Sequence, residues 1–167
     1  MIYKLKIVKI DTVYCDYLRQ YDKRVSYNMG TKELRPFIGV LFKINELEYF
    51  APLSSPKPKH LKMKNTLDFF KIKNGELGAI NFNNMIPINK KYYKVIDVNT
   101  KKEILQDEKY RELLYDQLNW LNENYIQVKN KSLKLYNLYK NNKLPDSLRN
   151  RCCNFPLLEE KSLIYKD

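Results

Sequence analysis

Little in this sequence favours a disulfide-bonded, metal-binding or membrane-spanning protein. The 167 residues include three cysteines, of which Cys152 and Cys153 are adjacent, and one histidine, His60. An odd cysteine count with an adjacent pair is not a disulfide framework, and one histidine without a C-x-x-C spacing does not predict a zinc site. No apolar run approaches the roughly 18 residues that a membrane span needs. These absences predict a cytoplasmic protein without a metal site, a cofactor or a membrane partner.

Acidic residues are also scarce relative to basic ones. The chain has 31 Lys and Arg against 19 Asp and Glu, which gives a formal net charge of +12. Such a chain attracts polyanions, and salt weakens that attraction. Charge alone does not separate RNA, DNA and acidic membranes, but the chain also has 14 tyrosines, whose rings can stack on bases. Together these features favour a nucleic-acid partner.

The order of the hydrophobic patterns predicts an α+β protein in a single domain, 1–167. Residues 2–10 alternate, which predicts an edge strand and not a signal peptide. A short helix is predicted over 12–22, followed by a long loop to residue 35. Residues 37–44 and 47–53 form a predicted hairpin across Asn45-Glu46, and four short strands follow at 68–72, 77–82, 85–88 and 95–98.

From about residue 108 the hydrophobic period becomes helical. It predicts one helix over about 108–121, a second over 124–142, a turn or short strand at 152–156 and a final short helix or tail over 157–165. The β-rich core is thus about 2–100 and the helical part about 108–165. Short, closely spaced strands favour a compact, strongly twisted antiparallel sheet or partial barrel with helices packed on it.

The most informative segment is the proline- and lysine-rich loop 54–64. An apolar strand ends there at two hydroxyls, Ser54 and Ser55, and Pro56 and Lys57 follow. Prolines at 56 and 58 keep the segment extended, so the side chains of Ser55 and Lys57 point the same way. Hydroxyls and cations beside a strand end are suited to holding a phosphodiester. Lys57 is the best candidate for an electrostatic catalyst.

Other side chains around this loop are candidates for RNA contact. His60 is the only side chain that titrates near neutrality without perturbation, which by residue type nominates a general base. However, the prolines place it beyond the Ser55–Lys57 pair, so RNA contact or packing of the loop is the favoured role. Base preference requires the loop tyrosines and nearby amides such as Asn81 and Asn83. The cations predicted to track phosphates are Lys59, Lys62, Lys64, Lys71 and Lys73.

An ordered set of short motifs resembles the ToxN/AbiQ endoribonuclease toxins of type III toxin–antitoxin systems, and is similar to the branch called CptN. The resemblance runs from about residue 14 to 161. The motifs that carry it are Phe37-Ile38-Gly39, Tyr49 to Lys57 with His60, Gly78-Ala79-Ile80-Asn81, Met85-Ile86-Pro87-Ile88, Tyr115-Asp116-Gln117-Leu118, Phe155, and Leu157 to Lys161.

This resemblance implies a fold, an activity and a partner. The fold is a twisted antiparallel sheet like that of MazF- and Kid-like toxins, flanked by helices. The activity is metal-independent cleavage of cellular or phage mRNA, with a role in phage abortive infection. The partner is a repeated antitoxin RNA, folded as a pseudoknot, that fills the active groove and assembles with the protein into a closed ring.

The resemblance also implies roles for individual residues. Ser55 matches the critical active-site serine, and Ser54 stands where many relatives have threonine. Arg35 replaces a common lysine, so a role in stabilising negative charge is retained while a role as acid is in doubt. Two tyrosines and a lysine complete the set: Tyr14 on the first helix near the groove, Tyr27 in the following loop, and Lys32 as the alternative cation to Arg35.

Metal-free RNA cleavage generally uses the ribose 2′-oxygen as the nucleophile. It leaves a 2′,3′-cyclic phosphate and a 5′-hydroxyl, and it requires stabilisation of the charge on the phosphorane. Two alternatives remain open from the sequence. A non-catalytic RNA-binding protein would share the electrostatics, and a metal-dependent nuclease would need clustered acids that Asp11, Asp16 and Asp22 do not obviously supply.

Overall fold

The computed structural model describes residues 5–26, 35–100 and 107–167. The strands of this part of the chain are β1 (Lys6–Ile10), β2 (Phe37–Gly39), β3 (Lys43–Ile44), β4 (Leu47–Ser54), β5 (Phe69–Lys71), β6 (Ala79–Asn81), β7 (Ile86–Ile88) and β8 (Tyr93–Val95). The α-helices are α1 (Thr12–Tyr21), α2 (Pro58–Lys62), α3 (Glu108–Glu123), α4 (Tyr125–Lys140), α5 (Asp146–Arg151) and α6 (Phe155–Ile164).

The strands form one antiparallel sheet built around β4. Its main path is β5-β6-β4-β2-β1-β8, and β3 and β7 pair with β4 off this path. The eight residues of β4 therefore pair with four strands: the first half contacts β3 and β7, and the second half contacts β2 and β6. The α+β class is confirmed, but the sheet is open, with β5 and β8 at its edges. A MazF- or Kid-like core remains a prediction.

Several predicted elements need correction. The prediction of β1 as an edge strand is wrong, because β1 pairs with β2 on one side and β8 on the other. The predicted strand 37–44 is two strands, β2 and β3, although its hairpin with β4 is confirmed. The strand predicted at 95–98 is misplaced, because the last strand of the described chain, β8, ends at Val95.

The C-terminal region is more helical than predicted. Helix α5 was not predicted, and α6 begins at Phe155, inside the predicted turn or short strand. The side chain of Asn154 accepts the N–H of Leu157 at 3.2 Å, and Pro156 occupies the first turn, where its missing N–H costs nothing. These two residues fix the start of α6.

The helices and the sheet share one buried core. Residues from β1, β4, β7, α1, α4 and α6 belong to the same hydrophobic cluster. Helix α6 packs on β7 and α1, and α3 packs on β1 and α4. Cys15, Cys152 and Cys153 are unbridged and buried in this core, as small apolar side chains would be.

Candidate functional site

The end of β4 places two serines at the edge of the core. Ser54, the last residue of β4, is half-buried, and its Oγ accepts a hydrogen bond from Nδ2 of Asn81 on β6 at 2.9 Å. Because Asn81 supplies that donor, the Ser54 hydroxyl hydrogen is available to another acceptor. Ser55 is exposed, and within the described residues its side chain has no hydrogen-bond partner. Asn81, predicted to read bases, thus supports Ser54.

The segment after Ser55 is extended and then becomes helical. Lys57 has φ −132° and ψ 150° and is exposed, which confirms the predicted extended backbone at this position. Helix α2 then begins at Pro58, whose fixed φ suits a first helical position. Lys59, predicted to track phosphates, lies in α2 and therefore does not continue the extended backbone of Lys57. Its side chain is nevertheless exposed.

His60 is a structural residue of this loop. It is 2% exposed, its Nδ1 accepts the N–H of Lys57 at 3.2 Å, and its own N–H donates to the carbonyl of Lys57 at 2.9 Å. Burial lowers the pKa of His60, and the charges of Lys59 and Lys57 lower it further. The predicted RNA contact is wrong because the ring is covered, and the alternative role in loop packing is confirmed.

Two glycines of the turn before β6 pack against the backbone of the site. A Cβ on Gly78, which has φ +99°, would lie 2.0 Å from the carbonyl oxygen of Ser54. A Cβ on Gly75, which has φ +93°, would lie 2.6 Å from the carbonyl oxygen of His60. Both positions require the conformation and the small size of glycine. The turn between β5 and β6 therefore fixes both ends of the segment from Ser54 to His60.

Arg35 lies on the other side of β4. The ladder between β2 and β4 continues to Pro36, whose carbonyl accepts the N–H of Leu53 at 2.9 Å. By the same register, the backbone of Arg35 lies level with that of Ser54. Arg35 is half-buried; burial lowers its pKa and the neighbouring Tyr110 raises it. Arginine remains cationic under such shifts, so positive charge flanks the strand end.

The lysines around the loop carry charge that carboxylates do not neutralise. In the described part of the chain, no carboxylate lies within ion-pair distance of Lys57, Lys59, Lys62, Lys64 or Lys71. Lys73 pairs with Glu76 at 3.7 Å, and both side chains are exposed. The only acid between Lys57 and Lys73, Asp68, is buried and bound by Arg151. The exposed lysines thus retain their attraction for polyanions.

Tyr14 does not lie where it was predicted. Its side chain is 0% exposed, and its hydroxyl donates to the carbonyl of Pro87 at 2.6 Å and lies 2.7 Å from Oγ of Ser162. Burial raises the pKa of Tyr14 well above its usual range. The prediction of a catalytic tyrosine beside the groove is therefore wrong, because packing of α1 against β7 and α6 covers both the ring and its hydroxyl.

Asn83 is the last of the predicted RNA-binding residues in the described part of the chain. Asn83 is half-buried and donates to the carbonyl of Arg151 at 3.3 Å. Tyr27 and Lys32 lie outside the described residues. Over 5–26, 35–100 and 107–167, no three His, Cys, Asp or Glu side chains are grouped so that they could hold a metal ion. Across those same ranges, none of the helices has the length and apolar character to cross a membrane.

Comparison with known families identifies the relatives of this chain. The model of a family described as toxin ToxN of the type III toxin–antitoxin system matches residues 6–162. The chain belongs to the ToxN family. It is 37% identical over 166 residues to the endoribonuclease ToxN of Bacillus thuringiensis subsp. kurstaki, and the match covers 97% of this chain and 84% of that protein. The resemblance inferred from the ordered motifs is confirmed.

Solved structures of ToxN-family proteins have the same fold. One comes from work on selective toxin inhibition by a non-coding RNA pseudoknot in type III toxin–antitoxin systems. It superposes with a TM-score of 0.79 and 34% identity, covering 98% of this chain and 99% of that chain. The structure of the lactococcal anti-phage endoribonuclease AbiQ superposes with a TM-score of 0.80 and 26% identity, covering 97% of this chain and 98% of that chain.

Proposed function

We propose that this chain is an endoribonuclease toxin that cleaves single-stranded RNA at the end of β4. One observation carries the proposal: in a chain of the ToxN family, the exposed residues Ser55 and Lys57 lie two positions apart just after β4, and within the described residues neither side chain has a hydrogen-bond or carboxylate partner. The names of its relatives support the same reaction class. The bound groups would be a phosphodiester at the serines and neighbouring phosphates along the lysines.

The proposed reaction is a transesterification within the RNA. The ribose 2′-oxygen attacks the adjacent phosphorus, the bond from phosphorus to the 5′-oxygen breaks, and a 2′,3′-cyclic phosphate forms. The proton lost by the 2′-hydroxyl is balanced by one gained at the leaving 5′-oxygen, which becomes a 5′-hydroxyl. Negative charge builds on the non-bridging oxygens between these events, and cations fixed beside them stabilise it.

Each residue at the strand end has a role in this scheme. Lys57, just after β4, and Arg35, just before β2, stabilise the charge on the phosphorane. Ser54, whose oxygen already accepts from Asn81, donates its hydroxyl hydrogen to a phosphate oxygen. Ser55 contacts the scissile phosphate or relays a proton. No metal ion is needed in this scheme, because the cations are side chains.

The decisive experiment compares Ser55→Ala with Ser147→Ala, a change of an exposed serine on α5. Ser55→Ala should abolish cleavage and growth arrest while RNA affinity stays within about twofold of wild type, and Ser147→Ala should behave as wild type. Lys57→Ala should lower the cleavage rate about 100-fold or more. Equal cleavage by the two serine variants would contradict the proposed site.

The ends of the product RNA and the effect of EDTA separate the alternatives. Fragments that polynucleotide kinase can label directly carry a 5′-hydroxyl, as the proposed chemistry requires. Cleavage should persist in excess EDTA, and its loss would indicate a metal-dependent nuclease. A purified protein that binds RNA tightly but leaves every transcript intact would be the non-catalytic RNA-binding protein.

The same proposal includes control by RNA. We expect a repeated antitoxin RNA, folded as a pseudoknot, to cover the end of β4 and to assemble with the protein into a closed ring in the cytoplasm. We also expect a role in phage abortive infection. The DNA immediately upstream should contain short tandem repeats followed by a terminator. Co-expression of that transcript should relieve growth arrest, and light scattering of the co-purified complex should give a discrete mass with several protein copies.

A further inference from the structure

We infer that Gln117 on α3 is a positioning residue that sets the direction of Ser55, an inference that rests on the proposed function. Gln117 is 1% exposed and lies on the buried face of α3 with Leu114 and Leu121. An apolar side chain would suit this face without any polar group to satisfy. The presence of an amide here therefore calls for a polar role.

The amide of Gln117 bridges the ends of two neighbouring strands. Its Nε2 donates to the carbonyl of Leu77 at 2.7 Å and lies 3.5 Å from the carbonyl of Ser54. Leu77 comes two residues before β6, and Ser54 is the last residue of β4. The contact with Ser54 is at the upper limit for a hydrogen bond, and such bonds in free enzymes often shorten when substrate binds.

The carbonyl of Ser54 determines the direction of the next residue. A peptide group is planar, so the position of the Ser54 oxygen fixes the position of the Ser55 nitrogen and Cα. This oxygen is held between Gly78, whose added Cβ would lie 2.0 Å away, and the amide of Gln117. The amide and the glycine together hold the peptide plane from which the Ser55 hydroxyl projects.

The oxygen atom of the Gln117 amide lowers the stability of the fold. Oε1 of Gln117 is buried and has no hydrogen-bond partner within the described residues. A buried acceptor without a donor is unfavourable for folding, and an apolar residue of similar size would avoid the penalty. A residue retained only for packing would not need an amide, whereas a residue that aligns two carbonyl groups does.

Two substitutions at this position separate positioning from packing. Gln117→Met keeps the approximate volume and removes the donor. Gln117→Glu keeps the shape and restores a donor only when the introduced carboxyl is protonated, because a carboxylate would face the carbonyl oxygens of Leu77 and Ser54. The matched control is Asn122→Asp on the same helix, where the amide bonds the backbone of Leu5, the residue before β1.

The measurement is the single-turnover cleavage rate of a labelled RNA, per folded molecule, at pH 5.5 to 8. Gln117→Met should lower the rate about 100-fold, as a small misplacement of a catalytic group can. The rate of Gln117→Glu relative to wild type should rise at least tenfold as the pH falls. RNA affinity, measured with each substitution in a Ser55→Ala background, should stay within about twofold of Ser55→Ala alone. Asn122→Asp should leave the rate per folded molecule unchanged and its pH profile parallel to wild type.

Three results would overturn the inference while leaving the proposed function intact. The first is a wild-type cleavage rate for Gln117→Met. The second is a cleavage rate of Gln117→Glu, relative to wild type, that does not change with pH. The third is a loss of RNA affinity in either variant as large as its loss of rate, and in each case Ser55→Ala is inactive. If Gln117→Glu does not fold, Gln117→Met decides alone, with folding followed by circular dichroism. A wild-type protein that leaves RNA uncut would instead reject the proposed function.

Discussion

The two halves of β4 treat polar groups in opposite ways. In the first half, buried Glu48 accepts the hydroxyl of Tyr93 at 2.9 Å, and the hydroxyl of Tyr49 donates to Glu159 at 2.6 Å. Tyr136 donates to the same Glu159 oxygen at 2.7 Å. Past the second half, the Ser55 hydroxyl and the Lys57 ammonium have no such partners in the described chain. One strand therefore connects a core whose polar groups are hydrogen-bonded to each other with side chains that are available to a ligand.

The segment from Ser54 to His60 is held in place while its polar groups stay available. The support comes from backbone contacts, namely the glycines of the turn before β6 and the hydrogen bonds between His60 and Lys57. Within the described residues, the side chains of Ser55 and Lys57 take no part in this support. Substitutions should therefore fall into two groups. One group alters the first half of β4, here called the core half. The other alters the second half of β4 together with the segment that follows it to His60, here called the site half.

The largest contrast is expected from two glycine substitutions. Gly78→Ala should lower the free energy of unfolding by about 3 kcal/mol, because the added Cβ meets the Ser54 carbonyl at a positive φ. The molecules that remain folded should have lost most of their cleavage activity. Denaturant unfolding and single-turnover cleavage measure the two effects.

The matched control for that experiment is Gly39→Ala on β2, beside the core half of β4, where a Cβ would lie 2.6 Å from Cδ1 of Phe50. It should also destabilise the protein but leave the cleavage rate per folded molecule unchanged. If Gly78→Ala cleaves at the wild-type rate once folding is taken into account, the turn before β6 does not shape the site.

Alkaline pH should affect the core half first. Burial raises the pKa of Tyr49 and Tyr136, and burial together with the hydrogen bond to Glu48 raises the pKa of Tyr93 to about 12. Because these pKa values are higher in the folded state, the neutral tyrosines stabilise the fold below about pH 10, and this stability is lost as the pH rises further.

Tyrosinate absorbance and circular dichroism should therefore change together in a cooperative alkaline transition. Tyr49→Phe should cost about 1 kcal/mol at neutral pH through the lost hydrogen bond, without changing the rate per folded molecule. If the buried tyrosines titrate with no loss of structure, their hydroxyl hydrogen bonds do not stabilise the core half of β4.

Mild acid should affect only the site half. Burial, with Lys59 and Lys57, lowers the folded-state pKa of His60, so its neutral form stabilises the fold above about pH 6.5, and this stability is lost below it. Between pH 7.5 and 5.5, exchange of the Lys57 amide, corrected for intrinsic rates, should accelerate up to about tenfold, whereas amides of the first half of β4 should not change. His60→Gln cannot titrate and should abolish the acceleration, so an acceleration that persists would assign it to another group.

The smallest effects should come from single lysines. Lys62→Ala or Lys64→Ala should weaken RNA binding a few-fold and reduce the slope of log affinity against log salt by about 0.7 each for a single strand. The cleavage rate at saturating RNA should not change. Lys94→Ala, an exposed lysine on β8, is the control. If neither substitution changes the salt slope, Lys62 and Lys64 do not contact the RNA phosphates.

Local patterns were enough to predict the backbone that surrounds the candidate site. The apolar run that ends at Ser54, the turn at Asn45 and the prolines at 56 and 58 are all short-range signals. They correctly predicted the hairpin into β4 and the extended backbone at Lys57. These features depend on residues only a few positions apart, where propensity is strong.

Contacts between distant residues were not predictable in this way. The helical spacing of α1 predicts a buried face, but it does not reveal that the Tyr14 hydroxyl reaches Pro87, 73 residues away. His60 looked accessible in a polar loop, yet Gly75 covers its backbone from another turn. Gln117 was visible only as part of a family motif, because its partners, Ser54 and Leu77, lie on other elements.

The prolines of the loop limit how RNA can be held there. Pro56 and Pro58 have no amide hydrogen, and the one between them, on Lys57, is already given to His60. At these three positions no backbone N–H is available to a phosphate, so only side chains can donate hydrogen bonds to it. A phosphate in a glycine-rich loop is instead bound by backbone N–H groups. If the proposed function holds, side chains alone select the RNA at these positions, and single substitutions should change that selection without changing the backbone.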